Sequence, residues 1–133
     1  MPKAIPLPPR LPVGYTAAMR LKTDIFASAL IRRVFSQGGF AAIERKGAES
    51  AGALFIRQRF RDGLETLYGP APQSFAMDDD ADLGRTFEVR LSRAEAAEVG
   101  DLLARELTWD SDLWVVEIET DEIGDLISVS GGD

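Results

Sequence analysis

The period of apolar and polar positions changes several times along the chain, and each change marks an element. From Thr23, the residues Phe26, Leu30 and Val34 recur at i,i+4, with Ala27, Ile31 and Phe35 in the row beside them and Ser28, Arg32 and Ser36 outside. That spacing predicts an amphipathic helix capped by Thr23 and stopped by Gly38 and Gly39. The runs "FAAIERK" and "AGALFIRQRF" alternate as strands around the turn-prone "GAES" and predict a hairpin.

The second run meets "LETLYG" through "RDG". A three-residue turn at Arg61, Asp62 and Gly63, with Gly63 left-handed, pairs Phe60 with Leu64, Gln58 with Thr66 and Ile56 with Tyr68. One face then gathers Ile56, Phe60, Leu64 and Tyr68. The other sets Arg59 against Glu65 and Arg57 beside Leu67, a ladder expected to face solvent. A two-residue turn would place Phe60 opposite Glu65 and scatter the apolar positions, so it is rejected.

"GPAPQ" ends this strand pair, because proline cannot donate to a ladder. After the acidic loop "MDDDADLG", the stretch "RTFEVRL" reads as a strand with Phe87, Val89 and Leu91 on one side. "SRAE" at residues 92–95 reads as a capping box for a helix that buries Ala96, Val99, Leu103 and Leu107, with Asp101 and Arg105 paired outside. "LWVVEIE", apolar on both sides at its start, reads as a central strand. The "LISV" of the C-terminal stretch offers an edge strand. The expected fold is α+β in the order α-β-β-β-β-α-β, with an antiparallel meander sheet and two helices on one face. Residues 1–18 are read as a Pro-rich flexible arm, residues 19–120 as a single α+β domain and residues 121–133 as an acidic C-terminal tail.

Composition narrows the chemistry. The 133 residues suit one domain, and they include no cysteine and no histidine. Thiolate nucleophiles, disulfides, Ser-His-Asp machinery and the usual zinc sites are thereby excluded. An enzyme built from this chain would work with carboxylates, Arg, Lys or Tyr, or with an oxygen-ligated Mg²⁺ or Mn²⁺. The first nine residues hold four prolines and no apolar run of signal-peptide type, and no stretch is long enough to span a membrane, so a cytoplasmic location is expected. Met19 would itself make a natural start for the domain.

The net charge of -7 is unevenly spread. Residues 19–61 hold nine Lys/Arg against three Asp/Glu, whereas residues 62–133 hold four against nineteen. The basic set Arg32, Arg33, Arg45, Lys46, Arg57 and Arg59 is a candidate polyanion surface with Phe40, Phe55 or Phe60 as stacking rings; the plainer reading is that the two halves neutralise one another. No named nucleic-acid motif matches the spacing.

Two short stretches remain. In "TWDSDLWVVEIE", Asp110 and Asp112 are weak metal candidates with Glu117, but Asp is also what a helix-to-strand turn uses to bond its own backbone. Trp109 and Trp114 are read as core aromatics. In "YGPAPQ", Tyr68, Pro70 and Pro72 form either a rigid binding rim or a plain strand terminator. Gly38 and Gly39 close a helix and therefore present the wrong dipole end to a phosphate.

Together "MRLKTDIFASALIRR", "AGALFIRQ", "LYGPAPQ" and "DSDLWVVEIE" resemble the small alphaproteobacterial proteins of domain-of-unknown-function family 1491, in the same order from Met19 to about Glu119. The resemblance implies a bacterial cytoplasmic protein and supplies no catalytic residue. The leading expectation is a non-enzymatic protein-interaction module, with a protein partner or a second copy held by a sheet face or edge around Arg57, Arg59 and the "YGPAPQ" exit. No cofactor, no catalytic residue and no membrane contact are expected. The alternatives are an RNA or nucleotide binder working through the basic first half, and a Mg²⁺-dependent hydrolase using Asp110, Asp112 and Glu117.

Overall fold

The computed structural model describes residues 22–49, 52–72 and 85–130. It contains α1 (Thr23–Ser36), β1 (Phe40–Arg45), β2 (Leu54–Arg59), β3 (Glu65–Pro70), β4 (Phe87–Ala94), α2 (Ala96–Trp109) and β5 (Trp114–Glu119). Along the chain the elements run α-β-β-β-β-α-β, but in the sheet the strands lie in the order β1-β5-β2-β3-β4. β5 enters between β1 and β2, antiparallel to the first and parallel to the second. The sheet is therefore mixed, and both the β1–β2 hairpin and the purely antiparallel meander are corrected.

The reason lies in the strands themselves. Leu54, Phe55 and Ile56 of β2 and Trp114, Val115 and Val116 of β5 are all buried, so both strands must be covered on two faces. Placing them side by side at the centre does this. Alternation then sends Leu54, Ile56, Trp114, Val116 and Ile118 to one face, where they pack with Phe26, Ala27, Leu30 and Val34 of α1. Phe55 and Val115 point the other way and meet Val99 and Leu103 of α2. The helices thus lie on opposite faces, which corrects their expected placement on one.

The β2–β3 register is as the side chains predicted: Ile56 pairs with Tyr68, Gln58 with Thr66 and Arg59 with Glu65. The Phe60 amide donates to the Leu64 carbonyl at 3.0 Å, and Gly63 takes φ +91° in the turn. Only part of the ladder faces solvent, however: the side chains of Arg57, which reaches the start of α2, and Glu65 are 12% and 4% exposed, whereas that of Arg59 is 38% exposed.

Three local expectations fail at β4 and the helix starts. The β3–β4 register slips, with Leu67 opposite Leu91 but Tyr68 opposite Val89. Phe87 therefore joins the α1-side core and Leu91 the α2 side, while Val89 is exposed. Ser92 and Arg93 stay in the strand, so the capping box does not form, and α2 starts after Glu95 without a side-chain cap. Arg93 sits at φ +45°, its amide donating to Thr66 Oγ1. Thr23 is the first residue of α1, and its hydroxyl donates to the Gly52 carbonyl at 2.8 Å instead of capping the helix.

The stretch after Thr120, expected to be an acidic tail, returns over the α1 face. Leu126 and Ile127 are buried there. The Phe87 amide donates to the Ser128 carbonyl, and the Ser130 amide to the Phe87 carbonyl. Val129 makes a single parallel bridge to Phe87 in place of the edge strand expected from "LISV". Residues 1–18 and most of the loop between β3 and β4 lie outside the described residues.

Candidate functional site

The basic set is dispersed. Arg57 Nε donates to Glu65 Oε1 at 2.6 Å, and its Nη1 donates to Glu44 Oε2 at 2.9 Å. Its Nη2 reaches the Ala96 carbonyl at the start of α2. Arg59 lies 3.1 Å from Glu65 Oε2 and 3.5 Å from Glu117 Oε1. Burial works against the Arg57 charge, yet the hydrogen bond and charge of Glu65 and those of Glu44 outweigh it, so the guanidinium is held above its ordinary range. Two arginines and three glutamates thus pair with one another, with Arg57 and Glu65 buried beside α2 and Arg59 and Glu44 partly exposed.

Arg33 is on α1, across the sheet from this network, and donates to the Leu126 and Asp125 carbonyls. Arg45 donates to the Ser111 carbonyl. Arg32 and Lys46 are exposed, on α1 and just past β1. Of the rings considered for stacking, Phe55 is buried under Arg90, Phe60 lies under Arg93, and only Phe40 is exposed. The fold does not gather these cations into one patch.

Tyr68 faces the α1 core, where its hydroxyl donates to Gln58 Oε1 at 2.8 Å. Gln58 Nε2 in turn donates to the Thr120 carbonyl, tying β3 to β2 and to the end of β5. Pro70 ends β3 and its carbonyl accepts from Arg90 Nη2, while Pro72 is exposed beyond it. Burial raises the Tyr68 phenol above its ordinary value. A group raised in the folded state stabilises fully below its unfolded value and loses that contribution as the pH rises through the folded one. Tyr68→Phe is therefore expected to cost about 1 kcal/mol at neutral pH through the lost hydrogen bond. It should also lose less stability than the parent as the pH rises above ~10, as read by urea denaturation at each pH.

The "DSDLW" stretch is a clasp. Asp110 Oδ1 accepts from the Asp112 amide at 3.0 Å, as an Asx turn does. The Asp112 carbonyl accepts from the Ala48 amide, and the Trp114 indole donates to the Ala48 carbonyl at 2.6 Å. Glu117 lies about 16 Å further along the chain direction, at ~3.3 Å per strand residue, and is engaged with Arg59. The three carboxylates do not converge, and among the described residues no group of three or more acidic side chains is placed to hold a metal. Trp114 is buried as expected, but Trp109 is 87% exposed on the last turn of α2, which corrects its reading as a core residue.

The structure opens a concavity elsewhere. Because β2 and β5 are parallel, their carboxyl ends finish together, and α1 ends beside them. Between these ends lies a crevice of about 650 Å³, lined by residues 37–39, 59–61 and 119–122. Gly38, at φ +89°, turns the chain out of α1, and Gly39 brings the backbone close to the Glu119 carbonyl. Thr120 folds back on Glu122, its hydroxyl donating to the Glu122 carbonyl and accepting from the Glu122 amide. Arg61 pairs with Asp121 at 3.4 Å on the open side. Phe40, opposite Glu119 in the ladder, stacks edge-on against Phe35 with ring centres 5.6 Å apart just outside. No sequence motif announced this crevice, since its three walls meet only through the β2–β5 pairing.

A five-stranded mixed sheet between two helices, with charged pairs folded into it and a crevice at the parallel strand ends, defines a small α+β protein. The chain belongs to the DUF1491 family of proteins of unknown function, whose model matches residues 21–128. The match runs past Glu119 to take in the segment that packs over the α1 face. A solution structure of a protein from A. tumefaciens is 63% identical and covers 86% of this chain and 98% of its own, with a TM-score of 0.75. A crystal structure of a DUF1491 family protein from Caulobacter crescentus is 29% identical over 85% of this chain and 100% of its own, with a TM-score of 0.67. An NMR structure of a DUF1491 family protein from the same organism is 30% identical, with a TM-score of 0.68 over 85% of this chain and 99% of that one. Comparison with curated proteins gives no match. Among the described residues no helix is long and apolar enough to cross a membrane.

Proposed function

We propose that the chain is a non-enzymatic protein-interaction module of the bacterial cytoplasm. The observation that supports this reading is the outer edge of the sheet at β1. Among the described residues no strand pairs with its free side; Phe40 and Ile43 of β1 are each 43% exposed, and Phe35 of α1, 50% exposed, packs against Phe40. An open edge carrying large apolar side chains is a template for association. At the sheet face expected to do this work, Arg57 is tied to the start of α2 and both arginines are engaged by glutamates, and β3, which leads into "YGPAPQ", is an inner strand.

A photo-crosslinking amino acid at position 40, introduced into the full chain in cells, is expected to give discrete protein adducts. The same group at Ser28, exposed on α1, should give none. An adduct of the chain with itself would identify the partner as a second copy. Equal labelling at both positions, or none at either, would overturn the proposal.

A further inference from the structure

The crevice at the strand ends adjoins the exposed Phe35 and Phe40 pair, and the two surfaces differ in chemistry. Resting on the interaction reading above, we infer that the partner is an extended protein segment carrying an arginine or lysine beside an apolar residue. The cationic side chain enters the crevice, and the apolar one lies on Phe35 and Phe40.

Charge complementarity carries this assignment. The crevice is lined by three acidic residues, Glu119, Asp121 and Glu122, and two basic ones, Arg59 and Arg61. Arg59 is already engaged by Glu65 and Glu117 from behind, so its charge is spent within the fold. Arg61 meets Asp121 as a pair whose side chains are 92% and 53% exposed, and such a pair exchanges partners at little cost. Glu119 and Glu122 make no ion pair among the described residues. The carboxyl end of α1, with its negative dipole end, completes the wall at residues 37–39. Glu119, Glu122 and the carboxyl end of α1 favour a positive charge, and Asp121 can exchange Arg61 for the incoming cation.

Geometry sets the spacing. Phe40 and Glu119 are directly opposed in the β1–β5 ladder, so the aromatic surface and the first carboxylate are one strand spacing apart, about 5 Å. Next-but-one residues of an extended segment share a face and bridge that distance, and a longer repeat does not. The bulge in β1 between Ile43 and Arg45 disrupts regular pairing at the far end of the edge, which concentrates docking at the Phe40 end.

The test uses the full chain and fluorescein-labelled, end-blocked octapeptides in which Arg and Leu alternate at every second position with Ser between them, so that both share one face of the extended peptide, read by fluorescence anisotropy at low and moderate salt. Binding is expected, and the double variant Glu119→Gln/Glu122→Gln should weaken it at least tenfold. Phe40→Ser should weaken it comparably, whereas Glu95→Gln/Glu98→Gln, a remote pair at the start of α2, should change it less than twofold. A peptide with Glu in place of Arg should not bind. Several results would overturn the inference: equal loss from the remote pair, which means general attraction to an acidic chain; tighter binding of the Glu peptide; or no binding of either. If the crosslink at position 40 persists in any of these cases, the interaction reading survives with a partner of different chemistry, so the two failures are distinguishable.

Discussion

Replacing Gly47 with alanine is expected to destabilise the protein by about 3 kcal/mol, the upper end of what overpacking a closed site usually costs. A Cβ on Gly47 would lie 1.9 Å from the Asp112 carbonyl oxygen and 2.6 Å from that of Leu113, both backbone atoms. Neither is free to yield. The Asp112 carbonyl is held by the Ala48 amide, and the Trp114 amide by the Ala53 carbonyl, so the start of β5 is pinned from both sides. Gly52 meets the same oxygen at 2.3 Å and the Trp114 ring at 2.8 Å, and Gly52→Ala should behave alike. Gly63 is the control: at φ +91° but with nothing within 4 Å, it should cost only the left-handed penalty of about 1 kcal/mol. Urea denaturation followed by tryptophan fluorescence measures all three, with the midpoint falling at constant slope. A Gly47→Ala midpoint like that of the parent would mean the clasp is not built this way.

The clasp explains which parts of the fold were legible. The α1 rows and the β2–β3 register could be read from sequence because they depend on residues within a few positions of one another, where one wrong choice strands Phe60 opposite Glu65. The central place of β5 was legible for a related reason, since a strand apolar on both sides has nowhere else to go. What could not be read was which strands it would separate. Gly47 and Gly52 look like ordinary loop glycines until Asp112, sixty or more positions away, is laid against them. The Arg57, Arg59 and Glu65 ladder shows the same limit, because balanced charges alternate identically whether solvent or a helix lies above them. The crevice at residues 37–39, 59–61 and 119–122 needed the same long-range pairing. Trp109 is different. At about 100° per residue it falls well off the stripe of Val99 and Leu103, so the helix spacing already placed it outside, and the usual burial of large rings was the weaker guide.

The partly buried ladder leads to the second large effect. Glu65→Ala is expected to cost about 3 kcal/mol, because it removes the carboxylate shared by two arginines while leaving Arg57 only 12% exposed. The loss should sit at the low end for a broken buried pair, since Arg57 keeps Glu44 and the Ala96 carbonyl and Arg59 keeps Glu117. Glu65→Gln, which retains an acceptor without the charge, should fall between the alanine variant and the parent. Replacing both partners, as Arg57→Met with Glu65→Leu, should recover most of the stability, because the apolar pair has no charge to desolvate beneath α2. Added salt should change the single-variant loss little, since the pair is shielded from solvent by the helix. A double-variant cycle in urea reads the coupling directly. If Glu65→Ala instead left stability unchanged, the ladder would be solvated after all, and Arg57 and Arg59 would return as candidate contacts for an anionic partner. The expected loss assigns their charge to the fold, and leaves the acidic crevice beside Phe40 as the surface with charge still to offer.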